Sequence, residues 1–101
     1  MRIQVNFCIG SDIAYHFNPR FNENCVVGNT RREGSWMEEE RCPMPFRYDR
    51  VYTVEFISKF GQIQVFINGT LFTTFVERMP GSDGLCLPRF ASEIEEEISL
   101  T

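Results

Sequence analysis

The sequence of 101 residues predicts an all-β protein, an antiparallel sandwich of two sheets. Aromatic residues are frequent, with ten Phe, three Tyr and one Trp, and such side chains fit the pleated, half-buried surface of a sheet. Short segments in which apolar and polar residues alternate predict strands. Turn residues separate these segments at short intervals, which is typical of antiparallel sandwiches.

The first half of the chain predicts three strands. Residues 2–9 alternate strictly, and a turn at 10–12 leads to a second strand at 13–17. Pro19 lacks a backbone N–H, so we expect it at a strand end or on a sheet edge. Val26 and Val27 mark a third, short strand. The lone Trp36 follows a Gly-Ser turn, which predicts a loop position for it.

The second half predicts three further strands, at 51–57, 62–67 and 70–75. The dipeptide Asn68-Gly69 predicts a tight hairpin between the last two, because a type I′ turn needs positive φ at both central positions. The acidic C-terminal segment, 88–101, leaves two interpretations open. Residues 93–100 are predicted as a frayed edge strand, and the alternative is a helix. We expect 1–101 to form a single domain.

Charge and cysteine usage narrow the classes of function. The 14 acidic and ten basic residues give a net charge of −4, which disfavours nucleic-acid binding. No apolar segment approaches the length of a membrane span, and the N-terminus does not resemble a signal peptide. We therefore expect a cytosolic protein without membrane insertion. The four cysteines are expected to be thiols, and their spacing does not suggest a metal site.

A cluster of polar residues between positions 16 and 41 predicts a binding site. His16, Asn18 and Arg20 alternate onto one strand face, about 7 Å apart from one to the next. Asn29, Glu39 and Arg41 add further directional groups, and Trp36 adds an aromatic face. A sugar site needs this combination, because hydroxyls require fixed donors and acceptors and a pyranose has an apolar C–H patch. The alternative is a solvated polar face without function.

The spaced motifs in this region resemble those of the galectin family, and the resemblance extends from residue 3 to about residue 87. HFNPRF at 16–21, VVGNT at 26–30, WMEEER at 36–41 and PF at 45–46 resemble the family's HxNPR, VVxN, WGxEER and PF. VFING at 65–69 and FVERMP at 75–80 resemble VxxNG and FxHRxP. The short interval between Arg20 and Val26 is similar to that of the second domain of tandem-repeat galectins.

This resemblance implies a calcium-independent lectin with a jelly-roll sandwich of galectin type. Its partners would be glycans and glycoproteins that carry β-galactosides such as lactose or N-acetyllactosamine. It would need no cofactor and no metal. The resemblance also implies a cytoplasmic protein that can reach the nucleus, or the outside of the cell without a signal peptide.

The resemblance also assigns roles to single residues. His16, Asn18 and Arg20 would hydrogen-bond the axial O4 of galactose. Asn29 and Glu39 would hold O6, and Trp36 would stack on the apolar face of the ring. Arg20 and Glu39 would in addition reach O3 of the second sugar, while Arg41 would orient Glu39 and contact the region of the second sugar.

The sequence departs from the family pattern in ways that favour a second hypothesis. Met37 replaces the glycine after the Trp, which could re-aim the Trp loop, and Glu77 replaces the His of FxHRxP. The chain begins at what resembles the family's third strand, so a homodimer could supply a missing sheet edge. The alternative is a galectin-fold protein with lost or altered sugar affinity that acts as a protein-interaction module.

An enzyme is not expected. Glycoside hydrolysis requires two carboxyl groups that flank one bond at a separation of about 5–9.5 Å. The motifs place no second acid beside Glu39, and His16 has no Ser or Cys partner in a nucleophile context.

Overall fold

The computed structural model describes residues 4–78 and 93–100, which form nine strands and one short 3₁₀ helix. The chain forms two compact units. The first holds the described residues up to Pro45 together with Arg78, and the second holds Phe46–Glu77 and the last strand. That residues 1–101 form one domain stays a prediction.

The first unit is a five-stranded antiparallel sheet. Its strands are β1 (Val5–Ile9), β2 (Asp12–Arg20), β3 (Cys25–Arg32), β4 (Ser35–Trp36) and β5 (Glu40–Pro43). β1 pairs with β2 and β2 with β3, and both β4 and β5 pair with β3 at successive positions along it. The 3₁₀ helix (Phe21–Glu23) connects β2 to β3.

Strand β2 is buried along most of its length, with different chemistry on its two faces. One face carries aromatic rings: Phe7 of β1 stacks on Tyr15 at a centroid distance of 6.0 Å, and Tyr15 meets Phe17 edge-on at 6.3 Å. Burial of one such large apolar side chain contributes about 1.5–3 kcal/mol. The other face carries His16 and Asn18, so the core of this unit supports a polar row.

The second unit is a four-stranded antiparallel sheet in the order β8-β7-β6-β9. Its strands are β6 (Arg50–Lys59), β7 (Gln62–Ile67), β8 (Thr70–Val76) and β9 (Glu93–Leu100). Alternate residues of β6 are buried, namely Tyr52, Val54, Phe56 and Ser58. This is the alternation that the sequence predicts for a sheet with one covered face.

The predicted Asn68-Gly69 hairpin is confirmed. Both residues have positive φ, 49° and 85°, as a type I′ turn requires. The Asn68 side-chain oxygen accepts a hydrogen bond from the Thr53 amide at 2.9 Å, and the Asn68 amide donates to the Thr53 carbonyl at 2.8 Å. These two bonds tie the turn to β6.

Several strand predictions differ from the structure in extent. β2 runs to Arg20, beyond the predicted end at Phe17, and includes Pro19 as its next-to-last residue. Among the described residues, the pairing of β1 with β2 ends at Phe17. The sequence predicts no strand at 40–43, where the structure has β5 at the side of β3. Trp36 was expected in a loop and lies on β4.

The two interpretations of the C-terminal segment are resolved in favour of the strand. β9 pairs antiparallel with β6 from Arg50↔Leu100 to Ile57↔Glu93 and forms an edge of the described sheet. The helix alternative is therefore wrong. Cys8, Cys25 and Cys42 are thiols, as expected, and the prediction for Cys86 lies outside the described residues.

Glu77, the residue in place of the family's His, carries a carboxyl oxygen that is fully buried, and no described residue forms a hydrogen bond with that oxygen. Burial raises the pKa of this carboxyl above its ordinary value. A carboxyl whose pKa is higher in the folded than in the unfolded state stabilises the fold when it is protonated. That contribution is lost as the pH rises through the folded-state pKa.

We therefore expect Glu77→Gln to raise the melting temperature at about pH 7, where the native carboxyl is ionised at a cost. The difference should vanish below about pH 4, because both side chains are then neutral. Thermal unfolding followed by circular dichroism across this pH range measures the melting temperatures of the native protein and the variant. A native protein that is as stable as the variant at neutral pH would contradict this assignment.

Candidate functional site

The predicted polar row lies on one face of the first unit. His16, Asn18 and Arg20 alternate along β2, and the register with β3 places Asn29 opposite His16 and Val27 opposite Asn18. Residues directly opposite on an antiparallel pair lie on the same face. β2 and β3 therefore present one continuous face, the candidate binding face.

One extra residue between β4 and β5 brings Trp36 and Arg41 to this same face. Trp36 pairs with Arg31 and Glu40 pairs with Gly28, so three residues, 37–39, face only two on β3. In a regular strand an even and an odd position point to opposite faces. The extra residue acts as a β-bulge and reverses that alternation.

Two hydrogen bonds hold the bulge. The Met37 amide donates to the Thr30 carbonyl at 2.9 Å, and the Asn29 side-chain Nδ2 donates to the Met37 carbonyl at 2.8 Å. Met37 is not among the described residues with positive φ. Its backbone conformation therefore does not require glycine. The expected re-aiming of the Trp loop by Met37 has no backbone cause in this structure.

Four charged side chains form a closed ring at one end of the face. Glu23 Oε2 accepts from Arg20 at 3.1 Å, and Glu23 Oε1 accepts from Arg41 at 2.8 Å. Glu39 Oε1 accepts from Arg41 Nη2 at 2.7 Å and from Nε at 3.1 Å, and Glu39 Oε2 lies 3.4 Å from Arg20. Each arginine therefore bridges both glutamates, which fixes all four planar groups.

The contacts within the ring shift the pKa of two of its members, Glu23 and Arg41. The hydrogen bond from Arg41, followed by the contact with Arg20, holds the pKa of Glu23 below its ordinary value. The carboxylates Glu23 and Glu39 in turn raise the pKa of Arg41. Because the ring contains two positive and two negative groups, the site carries fixed charges whose sum is zero.

His16 is oriented by its neighbours. Its Nδ1 lies 2.5 Å from Asn6 Oδ1, which can only accept, so Nδ1 carries a proton. The imidazole packs against the Trp36 indole with centroids 4.9 Å apart and a tilt of 53°. The Arg31 guanidinium lies 5.8 Å from the centroid of the same indole. Trp36 is still 48% exposed.

These elements enclose a cleft of about 180 Å³. It is lined by His16, Arg20, Val27, Asn29, Trp36, Met37 and Glu39. Of the predicted site residues, Asn18 and Arg41 do not line it but bond to two that do: Asn18 Oδ1 accepts from Arg20 Nε at 2.8 Å, and Arg41 holds Glu39. The structure thus brings all the predicted residues into one cluster.

Four members of this cluster were not assigned a role from the sequence. Val27 forms part of the cleft lining, Asn6 orients His16, Glu23 closes the charge ring, and Arg78 bonds to Asn29. A signal existed for two of them. Glu23 stands in the short loop between two motifs, and Arg78 stands in the FVERMP segment. Neither position by itself indicates what the side chain contacts.

The cleft has the chemistry of a neutral polyol site, with fixed donors, fixed acceptors and an aromatic face. Among the described residues, no group of three or more His, Cys, Asp or Glu side chains converges as a metal site would. In the same part of the chain, no helix has the length and apolarity needed to cross a membrane.

Comparison with known proteins points to one family. Residues 1–87 match the family described as galactoside-binding lectin. Galectin-4 of Bos taurus is 41% identical over 85 residues, which cover 78% of this chain and 26% of that protein. Galectin-3 of Cricetulus longicaudatus is 38% identical over 82 residues, covering 77% of this chain and 34% of that protein.

A solved structure is similar in fold. The crystal structure of Caenorhabditis elegans galectin LEC-6 matches with a TM-score of 0.76 and 43% identity, over 81% of this chain and 59% of that one. This likeness confirms the predicted fold class, an antiparallel β-sandwich of galectin type. The chain spans about a quarter to a third of the length of the curated relatives it matches.

The charge ring yields a direct test. We expect the pKa of the Glu23 carboxyl to lie below its ordinary value, and Arg41→Met to raise it, because Arg41 is the strongest stabiliser of the ionised form. NMR titration of the side-chain carboxyl carbon measures both values. Arg32→Met, which removes an exposed charge at the end of β3, is the matched control. An unchanged Glu23 titration in Arg41→Met would show that the ring does not form in solution.

Proposed function

The chain belongs to the galactoside-binding lectin family, and from that premise we propose that it binds β-galactosides of the lactose and N-acetyllactosamine type, without calcium and without a chemical step. The observation that carries this proposal is the cleft itself. It places Trp36, Arg20, Asn29 and Glu39 around one volume large enough for part of a sugar ring.

The axial 4-hydroxyl of galactose would sit over the β2 row. A hydroxyl both donates and accepts. It would contact the imidazole of His16, whose Nδ1 is held by Asn6, and accept from the guanidinium of Arg20. The equatorial 4-hydroxyl of glucose would miss this row and lose these contacts. That penalty is the physical basis for selecting galactose.

The rest of the galactose ring would meet Trp36, Asn29 and Glu39. The exposed indole of Trp36 offers a flat apolar face for the C–H patch of the ring. Asn29 and Glu39 would hold the 6-hydroxyl. Arg20 and Glu39, which are already fixed in the charge ring, would reach O3 of the second sugar.

Affinity for a single disaccharide should be modest. Each hydrogen bond to the sugar replaces one to water and contributes about 0.5–1.5 kcal/mol. The preformed charge ring lowers the cost of ordering long side chains on binding. Multivalent display of ligand would provide the further increase in avidity. The cytosolic location, export without a signal peptide and a homodimer stay predictions.

No catalytic role forms part of this proposal. Glu39 accepts hydrogen bonds from two arginines. These contacts suit a carboxylate that accepts hydrogen bonds, whereas a general acid must donate a proton. The glutamate that completes the ring, Glu23, is held ionised by the same arginines. Neither carboxyl suits the general acid that glycoside hydrolysis requires.

Trp36→Ala and Arg20→Ala test the assignment. Each should abolish retention on lactosyl-agarose, because one removes the stacking face and the other removes a donor and breaks the charge ring. Matched controls lie in the other unit: Phe60→Ala removes an exposed aromatic ring, and Arg50→Ala removes an exposed guanidinium. Both controls should be retained and should elute with lactose but not with sucrose.

Circular dichroism establishes that each variant is folded. If the folded native protein is not retained, the β-galactoside proposal is wrong. If Trp36→Ala and Arg20→Ala are both retained, the sugar binds elsewhere on the molecule.

The second candidate function, a family fold that has lost sugar affinity, is favoured by one observation. Met37 lines the cleft where the family pattern has glycine. Because the backbone at Met37 does not require glycine, we expect Met37→Gly to change lactose affinity by less than about threefold, in line with loss of a minor contact. Isothermal titration calorimetry with lactose measures the affinity of the native protein and of the variant. Lactose binding that appears only in Met37→Gly would favour the second candidate.

A further inference from the structure

Arg78 connects three parts of the binding unit. Its Nη1 donates to Asn29 Oδ1 at 3.1 Å and also to the Glu38 carbonyl, and its Nη2 donates to Glu40 Oε2 at 2.9 Å. These partners lie on β3, in the bulge and at the start of β5. The Arg78 side chain is only 18% exposed. It is therefore held in place by the residues that it contacts.

The amide of Asn29 is almost fully occupied. Its oxygen has two acceptor positions, and these are filled by the Thr30 backbone amide at 2.7 Å and by Arg78. Its nitrogen donates one N–H to the Met37 carbonyl at 2.8 Å. Asn29 is 3% exposed. No described residue takes its other N–H, which therefore remains for a ligand in the cleft.

The orientation of the Asn29 amide is fixed by neighbouring groups that can only donate or only accept a hydrogen bond. A backbone N–H can only donate and a backbone carbonyl can only accept. A flipped Asn29 amide would turn its nitrogen towards the donors Thr30 and Arg78. Arg78 makes this costly, because its guanidinium is always charged and cannot become an acceptor.

We propose that Arg78 is a positioning residue that holds Asn29 with its remaining N–H available to the 6-hydroxyl of galactose, an inference that rests on the proposed function. The 6-hydroxyl accepts from Asn29 and donates to Glu39, so both of its hydrogen-bonding roles are used. Arg78 does not contact the sugar. It determines how strongly the site distinguishes galactose from 6-deoxygalactose.

Two ligands isolate this effect. Methyl β-lactoside carries the 6-hydroxyl on its galactose unit, and the 6′-deoxy analogue lacks it. Isothermal titration calorimetry with both ligands is applied to the native protein, Arg78→Met, Arg78→Lys and the control Arg50→Met. Arg50 is an exposed residue on β6, in the other unit.

The native protein should prefer the parent ligand by about tenfold, the effect of one to two hydrogen bonds. In Arg78→Met, affinity for the parent ligand should fall by about tenfold, while affinity for the 6′-deoxy analogue stays within about twofold of the native value. Arg78→Lys should be intermediate, because one ammonium cannot bridge the three acceptors in the same geometry. Arg50→Met should match the native protein.

An equal loss of affinity for both ligands in Arg78→Met and Arg78→Lys, or no loss for either, would overturn the positioning role. Native protein that binds neither ligand would instead overturn the proposed function. A readout without sugar separates the two results. The Asn29 side-chain amide signals in an ¹H–¹⁵N spectrum should shift in Arg78→Lys and stay unchanged in Arg50→Met. If the Asn29 signals do not shift, the positioning role is wrong whether or not sugar binds.

Discussion

The candidate binding face depends on one extra residue between β4 and β5. Trp36 and Arg41 stand at positions of opposite parity, and in a regular strand their side chains would lie on opposite faces. The register with β3 changes by one residue between Arg31↔Trp36 and Gly28↔Glu40. This change places an aromatic ring and the charge ring on the same side as His16 and Asn18. Asn29 secures the bulge through its bond to the Met37 carbonyl.

A second layer of interactions fixes the groups that the bulge brings together. Glu23 and Arg41 flank the two side chains, Arg20 and Glu39, that would contact sugar. Asn6 fixes the orientation of His16 in the same way. The site is therefore organised before a ligand arrives, which reduces the ordering cost of binding. Shape and hydrogen-bond direction, rather than net charge, would then distinguish one sugar from another.

The sequence predicts most strands and the residues that cluster around the cleft, but not the contacts between them. Alternation and the Asn68-Gly69 turn are local signals, and local signals suffice for strands and hairpins. β5 was missed because Pro43 and Pro45 indicate a break in the chain, although Pro43 lies at the end of the strand. Glu23 and Arg78 act through residues distant in sequence, 18 and 49 positions away, and periodicity contains no information on such pairs. Whether the position of Met37 requires glycine depends on its backbone φ angle, which the sequence does not give.

NMR titration of the ¹⁵N-labelled native protein with lactose tests the central claim most directly. Lactose should produce saturable shifts of the Trp36 indole N–H, the Asn29 side-chain amide and the Arg20 Nε–H, since these three groups line the cleft. Cellobiose, in which the axial 4-hydroxyl is equatorial, should leave these signals in place at the same concentrations. Shifts of equal size with both disaccharides, or no saturable shift with lactose, would contradict the account.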